Sequence, residues 1–395
     1  LPIFKIEIDT LLTETKTFAT YKLIYNTENR INNITDQPTN LGKIKIKIRG
    51  QISKSFPKQS YSITTYSKKN KKQNISLLGM PKEHDWVLYG PFVDYSLIRN
   101  VLVYKLYEEM GYYSPKTKFC ELVINNDYRG IYILTENIKK SKNRINISKP
   151  QLENNDTIKS FIIKLDKGEN IVWKSPYNAQ IDTGTGKWFS YVYPSPKKMS
   201  EIQKKSIEQF VTNFETSLLN NTNWKEYIDI NSFVDFLIIN ELTKNIDAYR
   251  LSTYLYKDEN SKLKIGPVWD FNFSLGLTNH NDGYKTDGLI FENNIVPFWW
   301  KKFIKDDEFK HILKNRWKQL RNSIFSETNL NKQIDFNQNI LNEAIDRDFT
   351  KWDYIANKNE FRYFAATDHN SEILYIKNWL KNRTLYLDKY FNELK

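Results

Sequence analysis

Two aspartates, Asp247 and Asp270, have the spacing and surroundings to do chemistry together. Asp247 follows an apolar run in which Phe233, Val234, Phe236, Leu237, Ile238, Ile239 and Leu242 leave no polar face wide enough for a surface helix. Asp270 lies in Trp269-Asp270-Phe271-Asn272, just after Gly266-Pro267. Between them, Thr253–Tyr256 is β-branched and aromatic, Asp258–Ser261 has turn chemistry, and Lys262–Ile265 returns. That is a hairpin pattern. It would set a helix-end Asp beside a strand-end Asp, with Asn245 near one and Asn272 near the other. Oxygen donors of this kind suit one hard cation. The layout is that of a phosphoryl-transfer site, where one Asp aims an acceptor hydroxyl and a second holds magnesium on the phosphates. On spacing alone, Asp247 reads equally as a helix-terminal hydrogen-bond acceptor and Asp270 as a turn residue.

The elements that must position these groups are strands first and helices later. Ile44, Ile46 and Ile48 alternate with Lys43, Lys45 and Lys47, which predicts a half-buried strand. Arg49-Gly50 then turns the chain toward a second strand, with Lys58 ahead of Tyr61-Ser62-Ile63-Thr64. This unit is either a phosphate-covering loop or an ordinary hairpin. A helix is expected from about Ser96 to Met110, capped by Asp94 or Ser96 and stopped at Gly111. Arg99 and Asn100 near its start read first as ties to the preceding loop. Residues 118–136 form a hairpin around Asn125-Asn126-Asp127. Glu136 at its end is a candidate partner for a phosphate-binding Lys, or a metal or ribose contact; a surface ion pair is the alternative. Lys164, inside Phe161–Asp166, is an edge-strand charge or a phosphate ligand. Thr183-Gly184-Thr185-Gly186 is too short for a phosphate cradle and reads as a loop. Helical spacing dominates after Lys197. The polar stretch Asn279–Asp287 is expected to be a mobile lid, an acceptor-binding loop or a plain connection. Trp299, Trp300, Trp317 and Trp379 are expected to pack the helical part.

Composition narrows the class. The 395 residues include 25 Tyr, 23 Phe and 10 Trp, too aromatic for a disordered chain. No apolar run approaches the roughly 20 residues of a membrane span. The chain opens on Leu1-Pro2-Ile3-Phe4 with no methionine and no signal-like segment, and so reads as a processed product. Cys120 is the single cysteine and sits in an alternating strand, as a buried apolar residue would. One Cys and four scattered His argue against a zinc cluster. The net charge of +13 attracts polyanions, including nucleotide phosphates. The lysines are spread along the chain, so nucleic acid is not the expected partner.

Five stretches in order carry a family resemblance. They are Ile48–Tyr61, Leu77–Asn100, Glu121–Ile147, the region of Asn240–Asp258 with Gly266–Gly276, and Val296–Arg321. Together they resemble the CotH kinase-like family (spore-coat protein H and relatives) over nearly the whole chain. The resemblance implies an α+β, divergent protein-kinase-like two-lobe fold in one catalytic domain, 1–395. It would have a strand-rich lobe at 1–195 and a helical lobe carrying the metal site at 196–395. It implies ATP and Mg2+ as cofactors and phosphorylation of a protein hydroxyl, Ser or Thr of an unknown secreted or surface protein. In that scheme Asp247 is catalytic, and Asp270 and Asn272 bind metal. Arg49, Lys58, Glu136 and Lys164 contact phosphate or ATP, and Asn245 and Arg99 support. Many relatives carry Asp-x-Asp where this chain has Asp270-Phe271-Asn272, which implies weaker metal binding. Certain relatives act as surface adhesins, so an inactive binding protein is the alternative. A monomer that is secreted, periplasmic or at the cell surface is expected.

Overall fold

Strict alternation of apolar and polar residues shapes the N-terminal strands. A computed structural model describes residues 1–26, 30–153, 157–167, 172–177, 188–354 and 360–394. In chain order the elements are β1 (Ile3–Glu7), β2 (Thr17–Ile24), β3 (Asn40–Arg49), β4 (Ser60–Tyr66), β5 (Asp85–Tyr89), α1 (Arg99–Glu109), β6 (Thr117–Ile124) and β7 (Asp127–Glu136). Then come β8 (Phe161–Asp166), β9 (Val172–Lys174), β10 (Trp188–Tyr193), α2 (Glu201–Leu219), α3 (Ile230–Thr243), β11 (Thr253–Lys257) and β12 (Lys264–Ile265). The chain ends in α4 (Trp299–Phe303), α5 (Asp307–Arg321), α6 (Glu327–Leu341), α7 (Ile345–Trp352) and α8 (His369–Glu393). The Thr183–Gly186 stretch lies outside the described residues.

Two compact units are present. One comprises Leu1–Leu102, Pro115–Asn137 and Lys332–Leu374, the other Val103–Ser114, Ile138–Asn331 and Tyr375–Lys395.

In the first unit, β1 to β7 close into a barrel of order β1-β2-β3-β4-β5-β7-β6. Closure comes from β1, which pairs antiparallel with β2 on one side and parallel with β6 on the other. Inward positions carry Phe4, Ile6, Tyr21, Ile44, Ile46 and Trp86, all buried, and Cys120 lies buried among them. Closing the sheet removes its free edges. This corrects the expected fold. The chain is mixed α+β, but a closed seven-stranded barrel is not the lobe of a two-lobe kinase. The physical reason is the double pairing of β1. A strand hydrogen-bonded on both sides has the same alternation as one bonded on a single side.

Helix α7 packs on β7 through buried polar groups. Lys58 Nζ donates to Asp348 Oδ1 at 2.7 Å and to Tyr354 Oη at 2.8 Å, and Asp348 also accepts from the Ile131 backbone N–H at 2.6 Å. All three side chains are buried. Gly130 allows this approach: its φ is +84°, and a Cβ there would stand 2.1 Å from Asp348 Oδ1. At the start of α1, Asp94 accepts from the Arg99 backbone at 3.0 Å and from its guanidinium at 2.5 Å. Arg99 also donates to Glu372 at 2.7 Å.

The second unit is built on a sheet of order β12-β11-β8-β10-β9, antiparallel throughout. Helix α2 opens with a capping box, Ser200 and Gln203 bonding each other's backbone, and α3 is capped by Asp229. From Ser232 onward every residue of α3 is buried, as its all-round apolar sequence requires. Trp299, Trp300 and Phe303 of α4 pack on Phe214 and Phe233. Trp317 and Trp379 are buried as well, so the tryptophans are core residues.

Breaking one member of a buried ion pair strands the other charge. Lys58→Met should cost about 3–5 kcal/mol, and adding Asp348→Leu should recover part of the loss. Urea unfolding of the two variants checks this; an unchanged midpoint for Lys58→Met would remove the buried pair as the support of α7.

Candidate functional site

Asp247 sits in a tight turn after α3. Lys244 ends the helix in the left-handed region, with φ 43°. Asn245 Oδ1 accepts from the Asp247 backbone N–H at 3.2 Å, and the Ala248 N–H bonds the Asn245 carbonyl at 3.0 Å. Tyr249 then takes φ 70°, a costly conformation for an aromatic residue. The core enforces it: the Tyr249 hydroxyl donates to Glu241 at 2.9 Å, and its ring lies 4.3 Å from that of Trp300. The turn that carries Asp247 is therefore pinned from both sides.

Glu241 is the centre of that anchorage. Its buried carboxylate accepts from the backbone N–H groups of Ile290 and Phe291, each at 3.0 Å, and from Arg383 Nη2 at 3.2 Å. Burial pushes its pKa up, and the Arg383 charge opposes the shift. Arg383 also donates to the carbonyls of Thr286 and Gly288, at 2.9 and 2.7 Å. Lys244 Nζ donates to the carbonyls of Asp282, Lys285 and Asp287, at 2.9, 3.0 and 2.6 Å. Two buried cations thus fasten the stretch expected to be a mobile lid or a plain connection. Burial, with the nearby Arg383 charge, lowers the Lys244 pKa to about 8.

The Trp269–Asn272 segment is tied alongside by backbone bonds. The Leu275 N–H bonds the Thr243 carbonyl at 2.7 Å, and the Ile246 N–H bonds the Phe273 carbonyl at 3.4 Å. The Asp270 N–H donates to Tyr104 Oη at 3.2 Å, and Trp269 stacks on Tyr104. Asp270 itself has φ 65°, and its Oδ1 accepts from Asn272 Nδ2 at 2.5 Å. An Asp tolerates this region better than most residues.

The side chain of Asp247 is engaged. Arg250 Nη2 donates to its Oδ1 at 2.6 Å. Burial raises its pKa; Arg250 and then Lys167 oppose the rise, Asp166 adds to it, and His280 opposes it. Asp166 and Lys167 follow Lys164 at the end of β8. Lys164 Nζ pairs with Asp166 Oδ2 at 2.6 Å, and Lys164 lies opposite Tyr254 of β11. Asp166, Lys167 and Arg250 are absent from the expected site. Two signals pointed to them: alternation sets Asp166 on the face of Lys164, and Arg250 stands three residues from Asp247.

The expected residues divide between the units. Asp247, Asp270, Asn272, Lys164 and Asn245 belong to one; Arg49, Lys58, Glu136 and Arg99 belong to the other. Lys58 is held by Asp348 and Tyr354, so a phosphate contact would require breaking a buried pair. Arg99 ties the start of α1, as its structural reading requires. Glu136 is buried and accepts from the Lys116 backbone at 3.2 Å. Arg49 ends β3 opposite Ser60, before Gly50 at φ +111°.

No group of three or more His, Cys, Asp or Glu gathers to hold a metal among the described residues. Magnesium does not need one, since it is commonly held by one or two carboxylates together with water and substrate phosphates. The Asp270–Asn272 pair fits that sparser donor set if Asn272 turns its carbonyl oxygen toward the ion.

Comparison with known proteins agrees with the resemblance read from the motifs. Residues 46–387 match the family described as CotH kinase protein. Inner spore coat protein H of Bacillus subtilis (strain 168) is 22% identical over 359 residues, covering 89% of this chain and 88% of the relative. With most of its length matched, the chain belongs to the CotH kinase protein family.

Proposed function

We propose that this protein transfers the γ-phosphoryl group of ATP to a Ser or Thr hydroxyl of a protein acceptor. In the transfer, the bond from the γ-phosphorus to the bridging oxygen breaks and a bond to the acceptor oxygen forms. ADP leaves, and the hydroxyl proton passes to Asp247. The observation that carries the reading is Asp247 itself: a half-buried carboxylate in a turn held by Asn245 and by Tyr249 on Glu241. Phosphoryl transfer depends mainly on such positioning and on electrostatics. Arg250 orients the carboxylate. Lys164 and Lys167 supply positive charge for the phosphates. Asp270 and Asn272 would hold magnesium, which when bound neutralises phosphate charge. Asn272 brings an oxygen but one charge fewer than an Asp, so weak metal affinity is expected. The relative's place in a spore coat supports an acceptor in a coat or surface layer.

A second reading is a coat or surface binding protein without turnover. The Asn at 272, one charge short of a second Asp, favours it. Thermal shift separates the two. ATP with magnesium at 100 times its dissociation constant should add about 2.7 kcal/mol of stability; no shift in a folded sample favours the binding protein.

Asp247→Asn should lower magnesium-dependent phosphate incorporation into a Ser/Thr peptide library by about 10²–10⁴-fold. Asp270→Ala should raise the magnesium requirement. Both variants retaining full turnover would end the assignment.

The pH profile tests the environment of Asp247. The carboxylate must be ionised to take a proton, so activity falls as pH drops through its folded pKa. Burial sets that value above the ordinary 3.8. Arg250→Gln removes a lowering charge and should move the acid limb of kcat/KM to higher pH. Asp166→Asn removes a raising charge and should move it to lower pH. Limbs that stay still or shift in the same direction would show that Asp247 is not the titrating base.

A further inference from the structure

The lysines that look scattered along the N-terminal sequence are collected by the barrel. Strands β1 to β4 carry six basic residues, Lys5, Lys22, Lys43, Lys45, Lys47 and Arg49, against one carboxylate, Glu7. Phe4, Ile6, Ala19, Tyr21, Leu23, Ile44, Ile46, Tyr61 and Ile63 of these strands are buried in the barrel core, so the period of two sends the lysines outward. Lys43, Lys45 and Lys47 stand in a row along β3, about 6.8 Å apart at two residues per step. The pairing register sets Lys5 of β1 directly opposite Lys22 of β2. Like charges directly opposite each other are destabilising in a sheet. Glu7 offsets part of this through an ion pair with Lys5 at 3.3 Å, and Lys43 donates to Asn70 Oδ1 at 2.7 Å, but the strands keep a clear excess of positive charge. A bound polyanion would relieve the repulsion.

We propose that this outer face of the barrel docks an acidic polypeptide segment in extended conformation. Alternate side chains of an extended strand recur at the same spacing of about 6.8 Å, so Glu or Asp at every second position can match the β3 row. A single-stranded nucleic acid is the rival polyanion, and the aromatic residues argue against it. Proteins that hold single strands offer open rings on which bases stack. The half-exposed ring of Phe18 is flanked by Lys43 Nζ at 4.3 Å and Lys45 Nζ at 4.4 Å from its centroid. Tyr66 meets it edge-on at 5.4 Å. Lys45 also lies over Tyr66, at 5.7 Å. These rings serve to fix the ammonium groups in place. Asp85 of β5, which accepts from Thr64 at 2.8 Å, borders the face and limits it on that side. The surface lies wholly within the barrel unit and requires no part of the phosphoryl-transfer reading.

Fluorescence anisotropy at low salt tests the proposal with two labelled probes, a twelve-residue Glu-Ser repeat peptide and a twelve-nucleotide single strand. The intact protein should bind the peptide more tightly than the oligonucleotide. The variant Lys43→Ser/Lys45→Ser/Lys47→Ser should bind the peptide at least tenfold more weakly while keeping its circular dichroism. Should that variant lose its fold, Lys22→Ser/Lys47→Ser replaces it, since neither of those side chains holds Phe18 or Tyr66. Absence of peptide binding, tighter binding of the oligonucleotide at the same salt, or unchanged peptide affinity in a folded variant would each overturn the proposal.

Discussion

A buried carboxylate with every bond accounted for is worth more to a structure than its energy alone suggests, because its partners cannot move apart without stranding a charge. Glu241 is such a group. It accepts from two backbone amides, a tyrosine hydroxyl and a guanidinium. Through Tyr249 it holds the turn that carries Asp247, and through Arg383 it reaches the carbonyls at 286 and 288. Lys244, three residues along the chain, closes the same loop from the other side. The loop, the catalytic-candidate turn and the end of α3 therefore behave as one piece. Flexibility in this region would require giving up several charge-assisted bonds together.

This rigidity bears on how a sparse set of donors can do chemistry. Phosphoryl transfer asks little covalent work of the protein and a good deal of placement. Asp247 is placed by Asn245, Arg250 and Tyr249, and Asp270 by a left-handed backbone and the Tyr104 hydroxyl. Left-handed residues at Lys244, Tyr249, Ser252, Asp270 and Leu275 mark the same stretch. Such conformations cost roughly 1–3 kcal/mol each and persist where surrounding packing over-determines them. Family membership and this concentration of constrained backbone point to the same part of the chain.

The barrel illustrates a different economy. Its core is mainly apolar, its ring is closed by β1, and the buried Lys58 is paired with Asp348 of α7. Lys58 was expected on phosphate because its position after a glycine turn matches a family motif. A motif gives residue type and order; it does not give the residue 290 positions later that claims the ammonium. The kinase-like lobe failed as an expectation because nothing local to residues 3–7 announces a second, parallel partner at 121–124.

Local features were legible from the chain by itself. The period of two in Lys43–Arg49, the hairpin around Asn125–Asp127, the all-round apolar helix ending at Thr243 and the hairpin before Gly266-Pro267 are all present as read. So is the core role of the tryptophans and of Cys120. These follow from interactions between residues a few positions apart, which composition and spacing encode directly. Tertiary structure alone decided which lysine is buried and which exposed, that the sheet closes, that Asp166 and Lys167 stand near Asp247, and that lysines of separate strands share one barrel face. Each of those depends on contacts between distant segments. Their register comes from packing and chain topology, which no short stretch of sequence contains.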